Sequence, residues 1–350
     1  MISFCHPSEI SFSNACTFCS IRQAEVTLYA RVLSYPDQIE EDKYIPNNII
    51  FTHHHCIRTS RGDNFTNSQI LAGDNHRSGD AVGENARFYW PRGFIQITRS
   101  QVMISDTRNH CLKLLDRHTG FTSRVAGSCS IAGYEDGDGD AKFDRPWTIR
   151  QDNQNSSQLL VSENNNFAIR TVAVCHQKWL VGTFVKSDQL VYVRQFMQDA
   201  KGNIFASAKN AIFYISYQQR AVSLLIGSTA SGFKDGSFLE ARFRAPHGQQ
   251  WISPTSFLVS DISNSKIRLA DLESRTVSTL DLCNSTLCSE IYDPVSFLIT
   301  SSIFYLGEYE KILRFECKYS RKSAILTNKG RSESNQSLSF SLTSSWLRMS

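Results

Sequence analysis

The chain has 350 residues, and its 37 Lys and Arg residues against 33 Asp and Glu residues leave a net charge of +4, too small to indicate a polyanionic partner. Hydrophobic residues make up 41% and charged residues 20%, a composition typical of globular proteins. No apolar run approaches the roughly 18 residues that cross a bilayer, so we expect no membrane insertion.

Residues 1–20 hold no basic leader and no apolar segment, so no secretory signal is predicted. The protein is therefore expected in the cytoplasm, and outside the cell if a signal sequence precedes the sequence as given. Ten cysteines do not decide between these compartments. Cys16 and Cys19 have the spacing of a metal-binding or redox pair, but a zinc site needs a second such pair, so we predict no metal and no cofactor.

From residue 48 onwards the chain repeats a pattern of three strands with apolar residues at alternate positions, which is typical of half-buried strands. The six copies cover residues 48–73, 101–127, 158–182, 203–227, 256–280 and 302–326. A proline opens a further strand ahead of all copies but the fourth: Pro36, Pro91, Pro146, Pro246 and Pro294. Four short strands in about 50 residues correspond to one propeller blade. The sequence therefore predicts an all-β fold, a six-bladed β-propeller of four-stranded antiparallel blades.

A longer signature precedes three of the prolines. It reads Ala-Arg-Phe or Ala-Lys-Phe at residues 86–88, 141–143 and 241–243, twice with Asp-Gly a few residues earlier. Together with the Pro-x-Gly step, a Ser-Asp-x-x-Asn turn and an Ile-Arg strand, this sequence pattern resembles that of the NHL-repeat family of six-bladed β-propellers. The resemblance covers residues from about 36 to 327.

The resulting domain prediction has three parts. Residues 1–21 form a poorly ordered extension, residues 22–327 form the propeller, and residues 328–350 form a Ser-rich tail. Either residues 25–33 or residues 323–327 supply the outermost strand of the last blade, so that the two ends of the repeat region pair and close the ring. We expect the propeller to be monomeric.

Acidic residues recur in the loops of the repeat, and we interpret them as structural. Asp106, Glu163 and Asp261 stand at the turn between the second and third strands, where a carboxylate can accept backbone N–H groups. Asp136 and Asp235 each precede a glycine that supplies a positive φ angle.

The same turn brings one residue of each blade towards the channel mouth, and loops of this kind concentrate binding residues. Alignment of the six units gives the candidate binding residues as His54, Arg108, Asn165, Lys209, Ser263 and Glu308.

Two further expectations come from the third strand. Its apolar-basic step, as in Ile169-Arg170 and Ile267-Arg268, predicts that the cation points out of the opposite face, with its stem covering apolar surface. Cys56 and Cys111 open this strand in neighbouring blades, too far apart to form a disulfide with each other.

Three functions remain open, because fold alone does not give function. The first is a non-enzymatic scaffold that binds a protein partner through the channel-side turns. The second is a propeller hydrolase or lyase with a metal in the channel, using His53 to His55 and His110 for zinc, or Glu163, Asn165 and Asp261 for calcium. The third is RNA binding, which needs cations gathered on one face.

Overall fold

The computed structural model describes residues 25–31, 36–61, 68–73, 81–83, 86–138, 140–175, 178–280, 291–300, 303–308 and 311–316. All of them belong to one compact unit, Met1–Lys318. The predicted extension over residues 1–21, the Ser-rich tail over 328–350 and the pair Cys16 and Cys19 lie outside the described residues. Within these residues, no helix is long and apolar enough to span a membrane.

The described strands form six antiparallel sheets, one per repeat, in which the main strands of each repeat lie side by side in sequence order. Blade 1 contains β2 (Ile39–Glu41), β3 (Asn48–His53), β4 (Cys56–Arg61) and β5 (Gln69–Ala72). Blade 2 contains β6 (Ala81–Val82), β7 (Gly93–Gln96), β8 (Gln101–Asp106), β9 (Cys111–Asp116) and β10 (Phe121–Ala126). Blade 3 contains β11 (Pro146–Gln151), β12 (Gln158–Glu163), β13 (Ala168–Cys175) and β14 (Lys178–Lys186).

The second half of the ring repeats this order. Blade 4 contains β15 (Phe196–Gln198), β16 (Ile204–Ala208), β17 (Ala211–Ile215) and β18 (Val222–Gly227). Blade 5 contains β19 (Gly236–Ser237), β20 (Pro246–Ser253), β21 (Ser256–Asp261), β22 (Lys266–Asp271) and β23 (Thr276–Leu280). Blade 6 contains β24 (Ser296–Ile299), β25 (Ile303–Gly307) and β26 (Lys311–Glu316), and short 3-10 turns occur at Thr107–Asn109, Asp188–Leu190 and Ile262–Asn264. The predicted six-bladed propeller is confirmed, with an additional two-residue outer strand in blades 2 and 5.

The ring is closed by a strand from the N-terminal side of the repeats. β1 (Glu25–Arg31) pairs antiparallel with β26, with Glu25 opposite Glu316 and Arg31 opposite Lys311. Of the two segments proposed for this role, the one near residue 25 takes it, while residues 323–327 lie outside the described part of the chain. Blade 6 thus obtains its fourth strand from the other end of the propeller, and β26 no longer has a free edge.

The hydrophobic core is divided among the six interfaces between neighbouring sheets. The described buried apolar residues form one cluster for each pair of adjacent blades. Second strands such as β8 and β12 are buried along almost their whole length because a neighbouring sheet covers each face.

The Phe of the Ala-Arg-Phe signature packs at these interfaces against the glycine that ends the preceding blade. A Cβ atom on Gly127, which has φ of +90°, would come within 2.8 Å of the Phe143 ring and of the His110 carbonyl oxygen. The fourth strand of blade 3 differs from the expected pattern, because Gly182 lies within β14 and the strand continues to Lys186.

The basic residue of the third strand is buried, contrary to expectation. Arg170, Arg268 and Lys113 each have no exposed side-chain surface. The guanidinium of Arg268 lies 2.8 Å from Asp261 and 2.5 Å from Asp235, and it donates to the carbonyl oxygens of Arg242 and Lys234 at 3.0 and 2.7 Å. The loop that runs from one blade to the next covers the outer face of the strand, which strand periodicity alone does not reveal.

Blade 3 repeats this arrangement with different acids. Arg170 pairs with Glu163 at 2.8 Å and with Asp136 at 2.5 Å, and it donates to the carbonyl oxygens of Lys142 and Glu135. We call these two sites the arginine clamps of blades 3 and 5. In each clamp, three parts of the repeated sequence pattern contact one guanidinium: the Asp of the Asp-Gly step, a backbone carbonyl of the Ala-Arg-Phe or Ala-Lys-Phe segment, and the acid of the turn. This shared contact explains the spacing of these three parts in the sequence.

Cys111 forms a disulfide with Cys129, which follows β10 in the same blade, and so is not bonded to Cys56, as expected. The backbone N–H of Ser130 also donates to the carbonyl oxygen of Asn109 at 2.7 Å. The disulfide therefore ties the start of the blade 2 to blade 3 connection to the turn between β8 and β9.

Candidate binding face around the channel mouth

Two kinds of loop share one end of the ring because the sheets are antiparallel. They are the turns between the second and third strands and the connections that lead into the first strand of the next blade. They are hydrogen-bonded to each other: the N–H groups of Arg108, Asn164 and Ser263 donate to the carbonyl oxygens of Tyr89, Arg145 and Arg244. We call this end the turn face.

The structure places most of the predicted binding residues on the surface of this face. His54, Arg108, Lys209 and Ser263 are exposed. Asn165 is half-buried, and its side-chain amide donates to the carboxylate of Asp144 at 3.1 Å.

Glu308 requires a correction. Its side chain is fully buried, and this burial raises its pKa. The ammonium of Lys311, 3.0 Å away, opposes this effect. It also accepts a hydrogen bond from the N–H of Tyr292 at 3.4 Å. Glu308 therefore belongs with the structural acids, since Asp106, Glu163 and Asp261 accept from the corresponding N–H groups of Tyr89, Asp144 and Arg244.

Histidines proposed as zinc ligands hold neighbouring blades together instead. The ring nitrogen Nδ1 of His55 accepts the N–H of Trp90 at 3.2 Å, and that of His110 accepts the N–H of Arg145 at 3.2 Å. Asn210 plays the same part for Ala245. The N–H donor residues have φ angles between 53 and 56°, so each connection turns sharply just before its first strand.

Two residues after such a turn, blades 2 to 6 each contribute one residue to the channel mouth, and blade 1 contributes the residue that follows Pro36. In chain order these six residues, which we call the mouth ring, are Asp37, Arg92, Trp147, Arg194, His247 and Val295. Together with Ala245 and Ile262 they line a recess of about 200 Å³. Five of the six follow the repeated proline, and in blade 4 Val193 stands in its place.

The mouth ring was not among the binding residues predicted from the sequence. The sequence contains one signal for it: the flanking residues recur while the residue between them varies. Pro precedes Arg92, Trp147 and His247, and Gly or Thr follows them. A position whose neighbours keep one conformation while its own side chain changes freely is suited to specific binding.

The serine of the Ser-Asp turn fixes the backbone of the mouth ring. The Ser162 hydroxyl donates to the Arg194 carbonyl at 2.6 Å, and that of Ser207 donates to the His247 carbonyl at 2.8 Å. Ser260 reaches the Val295 carbonyl at 3.3 Å, and Ser105 donates to the Trp147 carbonyl. Each bond joins one blade to the next, so these ring positions are held by the rigid part of the fold.

Charge on one side of the recess is balanced by an ion pair. Arg92 binds both oxygens of Asp37 at 2.5 Å, and its guanidinium lies between the rings of Trp90 and Trp147, 5.0 and 4.8 Å from their centroids. Burial raises the pKa of Asp37, an effect that the neighbouring Arg92 opposes.

His247 lies next to Asp37 in the recess and is in its neutral form. Its Nδ1 lies 3.2 Å from the carbonyl oxygen of Val295, which can only accept, and its Nε2 lies 3.5 Å from Asp37. Burial, together with the positive charges of Arg194 and Arg92, holds the pKa of His247 well below its usual range.

Two donors at the recess have no acceptor among the described residues. Among the described residues, none accepts a hydrogen bond from the buried Nη1 of Arg194 or from the buried indole N–H of Trp147. Burial and the like charge of Arg92 lower the pKa of Arg194, although a guanidinium stays charged in proteins. With Asp37 balanced by Arg92 and His247 neutral, the recess carries one uncompensated positive charge.

Comparison with known proteins agrees with the resemblance that the repeated sequence pattern indicates. No protein-family model matches the chain, but it is 23% identical over 302 residues to NHL repeat-containing protein 2 from Bos taurus. The chain is a six-bladed β-propeller whose sequence is similar to that of this NHL repeat-containing protein. The match covers 71% of the chain and 40% of that relative, so the chain spans less than half the length of the curated protein that it resembles.

Solved structures show the same fold at low identity. Auxiliary nutrient-binding proteins from Bacteroides thetaiotaomicron and Bacteroides ovatus superimpose with TM-scores of 0.61 and identities of 13 and 14%, covering 84 and 85% of this chain and 76 and 77% of theirs. A virginiamycin B lyase from Staphylococcus aureus gives a TM-score of 0.52 at 11% identity, with coverage of 84 and 98%. These likenesses establish the propeller fold and leave the ligand open.

The carboxylates proposed for calcium do not converge in the propeller. Glu163 is bound by Arg170 in blade 3 and Asp261 by Arg268 in blade 5, so each carboxylate is neutralised within its own blade. Across the described ranges, no group of three or more His, Cys, Asp or Glu side chains is arranged to hold a metal ion. In the recess, the described buried side-chain atoms that lack a hydrogen-bond partner are Nη1 of Arg194 and the indole nitrogen of Trp147, both donors, which suit an anion.

Proposed function

We propose that this NHL-repeat propeller is a non-enzymatic interaction module that binds a protein partner on its turn face. The observation that supports this most strongly is the composition of the connections around the mouth. The two residues that precede each Pro position there include Tyr89, Trp90, Arg145, Tyr192, Arg244 and Tyr292. Tyr, Trp and Arg are the residues that most often dominate the binding energy of protein interfaces.

These side chains form a joined surface at the boundary of blades 1 and 2. The Arg108 guanidinium lies 5.3 Å from the Tyr89 ring centroid and 5.2 Å from that of Trp90. His54 stacks edge-on against Trp90, with 5.0 Å between centroids. A preordered cluster of aromatic rings and a guanidinium loses little side-chain entropy when a partner covers it.

Elsewhere on the turn face, two tyrosines are unusually exposed for their size. Tyr192 is 51% exposed and Tyr292 is 58% exposed. They stand in the connections into blades 4 and 6, so contact surface extends around the mouth from the blade 1–2 cluster. Extended exposed aromatic surface of this kind is typical of an interaction site.

A protein partner suits this surface better than RNA because the cations are divided between the two ends of the ring. Arg108, Arg145, Lys209 and Arg244 stand on the turn face, while Arg61, Arg99 and Arg117 line a separate cleft of about 620 Å³ formed by loops at the other end. Phosphate-backbone binding needs the cations on one continuous surface.

Selection of short random peptides displayed on phage, with the immobilised propeller as target, tests the proposal. The selected peptides should bind the wild type and lose at least about tenfold in affinity to Trp90→Ala, because a buried aromatic anchor dominates such contacts. Arg275→Met, at a turn of the opposite end, is the matched control and should bind unchanged.

Peptides that bind Trp90→Ala and wild type equally would contradict the proposal. A steep fall in affinity with rising salt for a polyuridine probe, together with no selected peptide, would replace the protein partner with RNA.

A further inference from the structure

The mouth ring offers a binding site that is more specific than the surrounding face. Its six members come from six different blades, and their backbones are connected from blade to blade by serine hydroxyls. The recess they line holds about 200 Å³, whereas ligand pockets for drug-sized molecules have roughly 300–1,000 Å³. It therefore has room for one small functional group.

The chemistry of that group follows from two donors of the recess that have no acceptor among the described residues. Arg194 makes no side-chain hydrogen bond or close ion pair with any residue that the structure describes. Trp147 stands beside it in the ring with an indole N–H in the same condition. A buried donor without an acceptor is costly, and a guanidinium without a counter-charge is more so. Both deficits are removed by one acceptor that carries negative charge.

The net charge of the recess decides between anions. Arg92 and Asp37 balance each other at 2.5 Å, and His247 is neutral, so only the charge of Arg194 is available. A group with one negative charge neutralises it, whereas a phosphate dianion would add an uncompensated charge beside the carboxylate of Asp37. The planar fork of a guanidinium also matches the two oxygens of a carboxylate.

We propose that the mouth ring binds a single carboxylate, held by Arg194 and the indole N–H of Trp147. Arg92 and Asp37 are positioning residues, because their ion pair keeps Arg92 between Trp90 and Trp147 and fixes the wall of the recess. On the proposed function, the carboxylate is an acidic side chain or a chain end of the partner protein. A free small carboxylic acid would present the same group.

The direct test uses acetate as the probe and the full chain as the protein. Trp147→Phe identifies the indole N–H resonance of Trp147 in a proton–nitrogen NMR spectrum. Acetate should shift this resonance saturably, while sodium chloride at equal ionic strength should not, and inorganic phosphate should bind more weakly than acetate. In Arg194→Met the acetate affinity should fall by at least about tenfold, the effect of losing a charged hydrogen bond.

Arg275→Met removes an arginine at the other end of the ring and should bind acetate as the wild type does. If Arg194→Met does not fold, Arg194→Lys keeps the charge without the fork and should bind with an affinity below that of the wild type. The inference is overturned if acetate causes no saturable shift, if chloride causes the same shift, or if loss of the Arg194 guanidinium leaves acetate affinity unchanged.

Peptides from the display selection distinguish the two sources of the carboxylate. If Asp or Glu in a selected peptide is essential and the peptide displaces acetate, the partner protein supplies the group. If Asn or Gln versions bind equally well while acetate still occupies the recess, the ligand is a free acid. Failure of the peptide selection alone would reject the proposed partner while leaving acetate binding at Arg194 intact.

Discussion

The arginines of the clamps and the arginine of the mouth ring have the same side chain in two opposite states. Arg268 uses its donors on two carboxylates and two carbonyl oxygens, and Arg170 does the same in blade 3. Arg194 is also largely buried, yet among described residues it has no hydrogen-bond acceptor. Burial alone therefore does not distinguish a structural cation from a functional one, whereas the number of satisfied donors does.

The clamps also show why the repeat tolerates buried charge. An isolated buried ion is expensive, and only good geometry with further hydrogen bonds offsets its desolvation. The loop between blades supplies these hydrogen bonds through its own backbone, so the clamp fastens each outer loop to its sheet. At the mouth, none of the described residues accepts a hydrogen bond from Nη1 of Arg194, and Arg194 lines the recess.

The largest expected effect comes from opening a clamp. Arg268→Met should lower the free energy of unfolding by about 3–5 kcal/mol, because Asp261 and Asp235 are left without their counter-charge. Urea denaturation monitored by circular dichroism measures this change. Arg275→Met, an exposed control in the same blade, should stay within about 0.5 kcal/mol of the wild type. A loss for Arg268→Met as small as that of the control would mean that the clamp adds nothing to stability.

The blade 2 counterpart of the clamp sharpens the comparison, because its cation is a lysine. Lys113 lies 3.2 Å from Asp106, but burial outweighs this attraction and raises the pKa of Asp106 to about 6. The folded state then holds a proton on Asp106 that the unfolded state, with a pKa of about 3.9, releases between those values. Stability contributed by Asp106 should fall as the pH rises from about 4 to 6, by about 3 kcal/mol.

This pH effect is measured as the difference in unfolding free energy between the wild type and Asp106→Asn across that pH range. The Asp106 carboxyl carbon should titrate by NMR with a midpoint near the same pH. A difference that does not change with pH, or a carboxyl that titrates below its ordinary value, would show that Lys113 fully compensates the burial of Asp106.

A smaller effect is expected from the serine links that hold the mouth ring. Ser260→Ala removes a hydroxyl that accepts from the N–H of Gly248 at 2.6 Å and donates to the carbonyl oxygen of Val295. The unfolding free energy should fall by about 1–2 kcal/mol, since two buried backbone groups lose a partner. Thermal denaturation compares it with Ser278→Ala on the exposed side of β23, where we expect almost no change. Equal melting temperatures for the two variants would rule out the link.

The smallest effect, and opposite in sign, is expected at Arg194. Arg194→Met should leave the unfolding free energy unchanged or raise it by about 1 kcal/mol, because it removes a charge that lacks compensation in the folded state. The same urea experiment as for Arg268→Met gives the contrast directly. A loss comparable to that of Arg268→Met would assign Arg194 a structural role and end the distinction between the two kinds of arginine.

Much of the fold could be predicted from the sequence because the same landmark residues recur from blade to blade. The prolines, the Asp-Gly steps and the alternating strands were sufficient for the number of blades and the strand order, even though blade 4 has Val193 in place of proline. The burial of Arg170 and Arg268 could not be predicted from alternation, which tells which face a side chain points to and not what covers that face.

The candidate site was only half predictable for a related reason. Turn residues such as His54 and Arg108 follow from aligning the repeats, and the structure places them on the exposed face. Glu308 was misassigned because the degenerate sixth unit hides that it aligns with Asp261. The mouth ring was missed since its members share no chemistry, and only the geometry of six blades brings Asp37 and His247 together across the channel.

The strand that closes the ring has a consequence for how the protein is made. β1 is among the first parts of the propeller to be synthesised, and its partner β26 is the last. At about 5–20 residues per second, β1 waits for tens of seconds with both edges exposed while the blades between form. A newly made chain therefore passes through a period in which another chain's β26 can take the place of its own. Dimers joined by exchange of β26, and dependence on chaperones during synthesis, are the expected consequences of such a closure.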